Sequence, residues 1–150
     1  MKFLFRYDYF NSLDMYFPHA YSFHSIKNKV INYPMGDSCF EEERILSLYL
    51  DCFRTSKDAQ DVLDMLNDKN IIEESPHTHE WFANIIGDVV NMKTVSASDN
   101  PNDVDYEPWL TLPRKEVAYA LDKWRDFIQR EIDPEYSEII DTEDVYKEVD

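Results

Sequence analysis

Apolar and polar residues alternate along this chain with two different periods, and each change of period marks an element. Phe3, Phe5, Tyr7 and Tyr9 alternate with Lys2, Arg6 and Asp8, with Leu4 also apolar. A period of two with this aromatic content predicts a strand with one buried face. Asn11 and Ser12 supply a break. A second extended segment is expected over residues 21–31, carried by Tyr21, Phe23, Val30 and Ile31, before Pro34, Gly36 and Asp37 punctuate the chain. Over residues 38–53 the spacing becomes helical, with Ile45, Leu48, Tyr49, Cys52 and Phe53 on one stripe. Ser38 with Glu41 matches a capping box, and Glu41, Glu42 and Glu43 lie where a helix start favours acids.

A second helix is predicted over residues 56–66, its stripe formed by Ala59, Val62, Leu63 and Leu66. Ser56 is its expected N-cap and Asp58 a favourable first-turn acid. The short Arg54-Thr55 link implies an antiparallel helix pair or one bent helix. Residues 81–95 return to a β pattern. Ile85-Ile86 and Val89-Val90 flank Gly87-Asp88, which suits a two-residue type II′ hairpin. Residues 96–107 read as an exposed acidic loop. Trp109-Leu110-Thr111-Leu112 is a short strand or an extended lead-in, and Pro113 fits the first turn of a third helix. Val117, Leu121, Trp124 and Ile128 form that helix's stripe, broadened by Ala120 and Phe127, and it should end near Glu131.

These elements predict an α+β fold, a small and mostly antiparallel sheet packed by two or three helices. Residues 1–132 form the expected single domain. Residues 133–150 form an acidic C-terminal extension, of which Ile139, Ile140, Val145 and Tyr146 can dock a part. Phe3, Phe5, Ile45, Leu48, Leu63, Ile85, Val89, Val117, Leu121 and Trp124 are expected in or near the core.

Charge changes the picture most. Acids outnumber bases 31 to 15 over 150 residues, a formal charge of -16. Such a surface repels nucleic-acid phosphates and anionic lipid, so neither direct nucleic-acid binding nor a membrane surface is expected. The first thirty-five residues carry Lys2, Arg6, Lys27 and Lys29 against Asp8 and Asp14, so the negative charge lies downstream. A basic protein is the natural complement. No apolar run approaches the roughly 18 residues of a membrane span, and Arg6 and Asp8 interrupt any signal sequence. The cytoplasm is the expected location, with Cys39 and Cys52 as reduced thiols.

Catalytic chemistry is poorly supplied. His77-Thr78-His79-Glu80 would put two histidines on one face if it were a strand. Glu80 would then point away, no third ligand is evident, and Pro76 favours a loop. Exposed histidines and no metal are expected. His19 or His24 with a cysteine could make a thiol–imidazole pair, but Cys52 lies on its helix's apolar stripe and reads as core. Two glycines cannot build a phosphate-binding loop, and no G-x-S-x-G elbow is present. No catalytic residue and no cofactor is expected.

Asp103, Asp105, Tyr106, Glu107 and Trp109 are the candidate partner-binding set. Acids steer a basic partner, and large aromatic side chains anchor interfaces. The plainer alternative puts Trp109 in the core and leaves the acids to solvate a loop. Trp124, inside a regular helical stripe, reads as core.

The chain resembles the immunity proteins of bacterial polymorphic and contact-dependent toxin systems. The resemblance lies in size, acidity, the aromatic first strand and the segment Trp109-Leu110-Thr111-Leu112-Pro113-Arg114-Lys115-Glu116 leading into the last helix. It implies an inhibitor that binds and occludes a basic toxin domain, a nuclease by preference. Two alternatives belong to other classes. A DNA-mimic inhibitor of a host DNA-binding enzyme needs rows of exposed carboxylates at phosphate-like spacing. A small enzyme built on His77, His79 or Cys52 needs a pocket joining those side chains.

Overall fold

A computed structural model of the chain describes residues 1–22 and 41–147. β1 (Lys2–Phe10) runs antiparallel to β2 (Met15–Ser22), pairing Phe5 with Ala20 and Tyr9 with Tyr16. The turn between them is closed by Leu13 N–H donating to the Phe10 carbonyl at 3.2 Å. Asp14 completes it at φ 50°, a left-handed conformation that a short polar side chain tolerates. The second extended segment thus starts earlier than its periodicity suggested. Pro18 hid it, and is tolerated because β2 lies at the edge of its sheet among the described residues. Residues 23–31, Pro34, Gly36, Asp37, His24, Cys39 and the Ser38 capping box lie outside the described residues.

α1 (Glu41–Asp51) and α2 (Ser56–Asn67) follow. Thr55, and not Ser56, caps α2. Its backbone is extended, as a cap requires, and its Oγ1 accepts from the Asp58 N–H at 3.2 Å. Ser56 is already helical. The second sheet is built from β3 (Glu73–Glu74), β4 (Trp81–Ile86), β5 (Val89–Thr94) and β6 (Leu110–Pro113), antiparallel in that order. Gly87 and Asp88 join β4 to β5, and Gly87 alone of the two has a positive φ, 59°. That is the type II′ pattern.

α3 (Arg114–Gln129) begins directly after β6. Pro113 is its N-cap and lies outside the first turn, at φ -62° and ψ 126°, because the same residue ends the strand. The helix stops just short of Glu131. β7 (Ser137–Asp141) then returns beside β1, giving the first sheet the order β2-β1-β7, and a 3-10 helix (Thr142–Tyr146) follows it. Ile140 is buried and Ile139 exposed, as alternation along a strand demands. The acidic C-terminal segment therefore contributes a strand to the first sheet.

The architecture is α+β, with two small antiparallel sheets among the described residues and helices packed against them. α3 lies between the sheets. Its Trp124 meets Phe5 edge-on at 5.1 Å and its Phe127 stacks on Tyr7 at 4.7 Å, while the helix also packs on β5 and β6. Trp124 Nε1–H donates to the Phe53 carbonyl at 3.0 Å, so the indole is buried with its polar group satisfied. Phe3, Phe5, Ile45, Leu63, Ile85, Val117, Leu121 and Trp124 are buried as expected. Leu48 is partly buried against this core. Val89 is not in it: Val90 and Met92 are the apolar residues of β5 that face the core, which turns Val89 to the outer face. Among the described residues no helix is long and apolar enough to cross a membrane.

Candidate functional site: the outer face of the second sheet

Trp81, Ala83, Ile85, Val90, Met92 and Leu112 fill the inner face of the second sheet. Their neighbours in sequence therefore stand on the other face. The register sets Phe82 opposite Lys93, Asn84 opposite Asn91, and Asn91 opposite Thr111. Thr111 Oγ1 donates to Asn91 Oδ1 at 2.7 Å, and Ser75 Oγ donates to Asn84 Oδ1 at 2.8 Å. This polar row lies beside an aromatic one. Trp109, just before β6, has its ring 6.3 Å from that of Phe82. Lys93 Nζ lies 5.7 Å from the Trp109 ring centre and donates to the Asp99 carboxylate.

The Lys93 side chain is only 3% exposed, whereas that of Asp99 is 84% exposed. A lysine can be covered this deeply because its stem packs on apolar surface while its ammonium keeps a carboxylate and a ring face. Above it, Phe82 is 38% and Trp109 44% exposed. Trp109 therefore does not enter the core.

The acidic loop is held by short-range bonds. Ser98 N–H donates to the Asp105 carbonyl at 2.9 Å, and Tyr106 N–H to the Asp103 carbonyl at 3.2 Å. Ser98 Oγ donates to Asp103 Oδ2 at 2.5 Å, and Thr94 Oγ1 to Glu107 Oε2 at 3.0 Å. Ser98 and Tyr106 form an isolated parallel bridge. Asp103, Asp105 and Tyr106 are exposed and Glu107 half-buried. All five residues expected from the sequence thus lie on the segment running into β6, and Trp109 carries it onto the sheet face. Phe82, Lys93 and Asp99 were missed. Part of the signal was present, because a two-residue hairpin at Gly87-Asp88 already dictates that Phe82 faces Lys93.

The histidines and Cys52 do share a cleft, of about 790 Å³, between α1, α2 and the segment before β4. His77 Nδ1 accepts from the Ala83 N–H at 2.9 Å. Cys52 Sγ donates to the Leu48 carbonyl at 3.4 Å and meets the Thr78 hydroxyl at 3.5 Å. Burial above all pushes this thiol up, away from the thiolate that a nucleophile requires. His19 meets Asp51, with Nδ1 3.5 Å from Oδ2. Among the described residues no three His, Cys, Asp or Glu side chains are placed to hold a metal ion.

The chain is 29% identical over 151 residues to UPF0275 protein PM0493 of Pasteurella multocida (strain Pm70), covering 97% of this chain and 99% of that one. UPF0275 protein PM0505 of the same strain is 54% identical over 52 residues, 32% of this chain and 36% of the relative. UPF0275 protein PM0504 is 51% identical over 51 residues, 32% and 35% respectively. The matched region thus spans about a third of the length of two of these relatives and nearly all of the third. No solved structure matches the chain. The model of a family of unknown function, DUF5376, matches residues 1–146, and the chain belongs to that family.

Proposed function

We propose that this chain is a partner-binding inhibitor of the immunity type, which occludes a basic toxin domain and acts in the cytoplasm. The observation that carries the reading is the exposed Phe82–Trp109 pair, with Asp99 linked to it through Lys93 and Asp103, Asp105 and Glu107 on the segment that leads into Trp109. Large aromatic side chains half open to solvent are the usual anchors of an interface. The carboxylates beside them, on a chain of formal charge -16, attract a cationic domain and orient its approach. A nuclease fits best, because its active site must be cationic to hold phosphates and is blocked when an acidic surface covers it. Several relatives within one strain suit proteins that each answer a different partner.

Two other readings are less favoured. Phosphate mimicry needs rows of exposed carboxylates unaccompanied by cations, whereas the exposed Asp99 here is paired with Lys93. A cysteine enzyme needs an accessible thiolate, and Cys52 is driven the other way.

The test is capture of partners at low and moderate salt, by the native chain and by an Asp103→Lys, Asp105→Lys, Glu107→Lys variant. Retention of one basic protein at moderate salt, lost on charge reversal and inhibited in its own activity by the native chain, is the expected result. Retention indifferent to the reversal removes the loop from the interface, and no basic protein retained even at low salt overturns the proposal.

A further inference from the structure

We infer that the outer face of the second sheet receives an arginine side chain of its partner, stacked on the exposed Trp109 ring beside the loop carboxylates. This inference deepens the partner-binding reading above and rests on it.

The site already holds a cation of its own. Lys93 rises from β5 beside Phe82, brings its ammonium to 5.7 Å from the Trp109 ring centre, and ends on Asp99. Ring face and carboxylate together thus make a setting in which a positive charge is stable although its side chain is almost fully covered. Lys93 leaves part of that setting open. Trp109 keeps 44% of its surface exposed, and the Asp99 side chain keeps 84%. Asp105 is exposed on the same loop.

Guanidinium suits the open part better than ammonium. It is planar, stacks flat on an indole, sheds water more readily, and gives a carboxylate two parallel N–H bonds. The sign of the site excludes phosphates, anionic headgroups and acidic peptides, which would meet Asp99, Asp103, Asp105 and Glu107 together. The adjoining Asn84–Asn91–Thr111 row carries no charge, so it neither competes for the guanidinium nor repels the surface around it.

The chain itself supplies the probe. Of its three tryptophans, Trp81 and Trp124 are 2% and 0% exposed, so quenching of indole emission by iodide reports Trp109. The native chain is titrated with oligoarginine and with oligolysine of equal length, at low and moderate salt. Oligoarginine should shield the emission from iodide and bind about three- to tenfold more tightly than oligolysine. By calorimetry, Trp109→Ala should abolish that preference and Trp109→Phe should keep part of it, which separates a stacking role from a folding defect. Equal affinity for the two peptides, or an arginine preference that survives Trp109→Ala, overturns the inference. Because the capture experiment uses the native partner and the charge-reversed loop, it can succeed while this one fails, and the two failures remain distinct.

Discussion

The Arg114 side chain sits on the carboxyl end of α2, its Nε–H donating to the Leu66 carbonyl at 2.8 Å. Its remaining donors go to the carbonyls of Met65, Asp68, Ile71 and Gly87 at 2.6 to 3.0 Å. All five N–H groups of a guanidinium are thereby used. α2 has no basic residue in its own last turn, so the first residue of α3 supplies the charge that its terminal carbonyls favour.

Arg114→Lys should therefore be costly although it keeps the charge. An ammonium has three donors and cannot span five carbonyls spread over α2, the turn after it and the β4–β5 hairpin. The expected loss is about 2–4 kcal/mol, from several charge-assisted bonds removed together. Urea denaturation of the two proteins measures it, and a loss within experimental error would show that these bonds contribute little.

Gly87→Ala tests the hairpin. A Cβ at this position meets nothing within 4 Å, so space is not the obstacle, but φ is 59°. The penalty should be the intrinsic one for an L-residue in the left-handed region, about 1–2 kcal/mol. The same denaturation curves, with an unchanged slope, would report it.

Cys52 should alkylate slowly. Burial, the largest influence, raises its thiol above the usual range, and the nearby Glu80 and Asp51 act in the same direction. In a Cys39→Ser background, iodoacetamide labelling at neutral pH should lag well behind a free thiol and recover in denaturant. Labelling as fast as a free thiol at neutral pH would revive the cysteine-enzyme reading.

Alkaline pH should weaken the fold through its buried phenols. Tyr21 is pushed up to about 12, first by burial and then by its hydrogen bond to Asp8. Tyr49, whose hydroxyl donates to the Pro76 carbonyl at 2.7 Å, is raised further by burial. Both groups hold their protons more tightly folded than unfolded. Their stabilisation is complete below about pH 10, the unfolded value, and falls as pH rises through the folded value. Denaturation midpoints should drop from pH 9 to pH 11. Tyr21→Phe should flatten part of that decline, and an unchanged slope would argue against a raised Tyr21.

Much of the architecture was legible along the chain because it is local. Phe3, Phe5 and Tyr7 mark one buried face of β1, Val117, Leu121 and Trp124 mark a stripe of α3, and Gly87-Asp88 mark a hairpin, each within a few residues. The misreadings were local conflicts. Pro18 disguised β2 because an edge strand tolerates what an inner strand would not. Thr55 outcompeted Ser56 because the helix starts one residue later than the first eligible cap. Val89 was assigned inward because a run of two valines does not show which of them faces the core.

The candidate site was half legible. Acids and aromatics close together in residues 103–109 pointed to a surface, and the Phe82–Lys93 pairing followed from the hairpin. That Trp109 would join this row, and that Lys93 would be covered by it, depended on β6 pairing with β5 across the intervening loop.

By itself, then, the sequence determined the periods, the turns and the net charge, and hence the class of fold. Tertiary structure alone decided that β7 would lie against β1, that Arg114 would close α2, and that an aromatic pair would stand open over a covered lysine. The reason is physical: periodicity records which face of an element leaves water, while the identity of what covers that face depends on contacts between segments far apart in the chain.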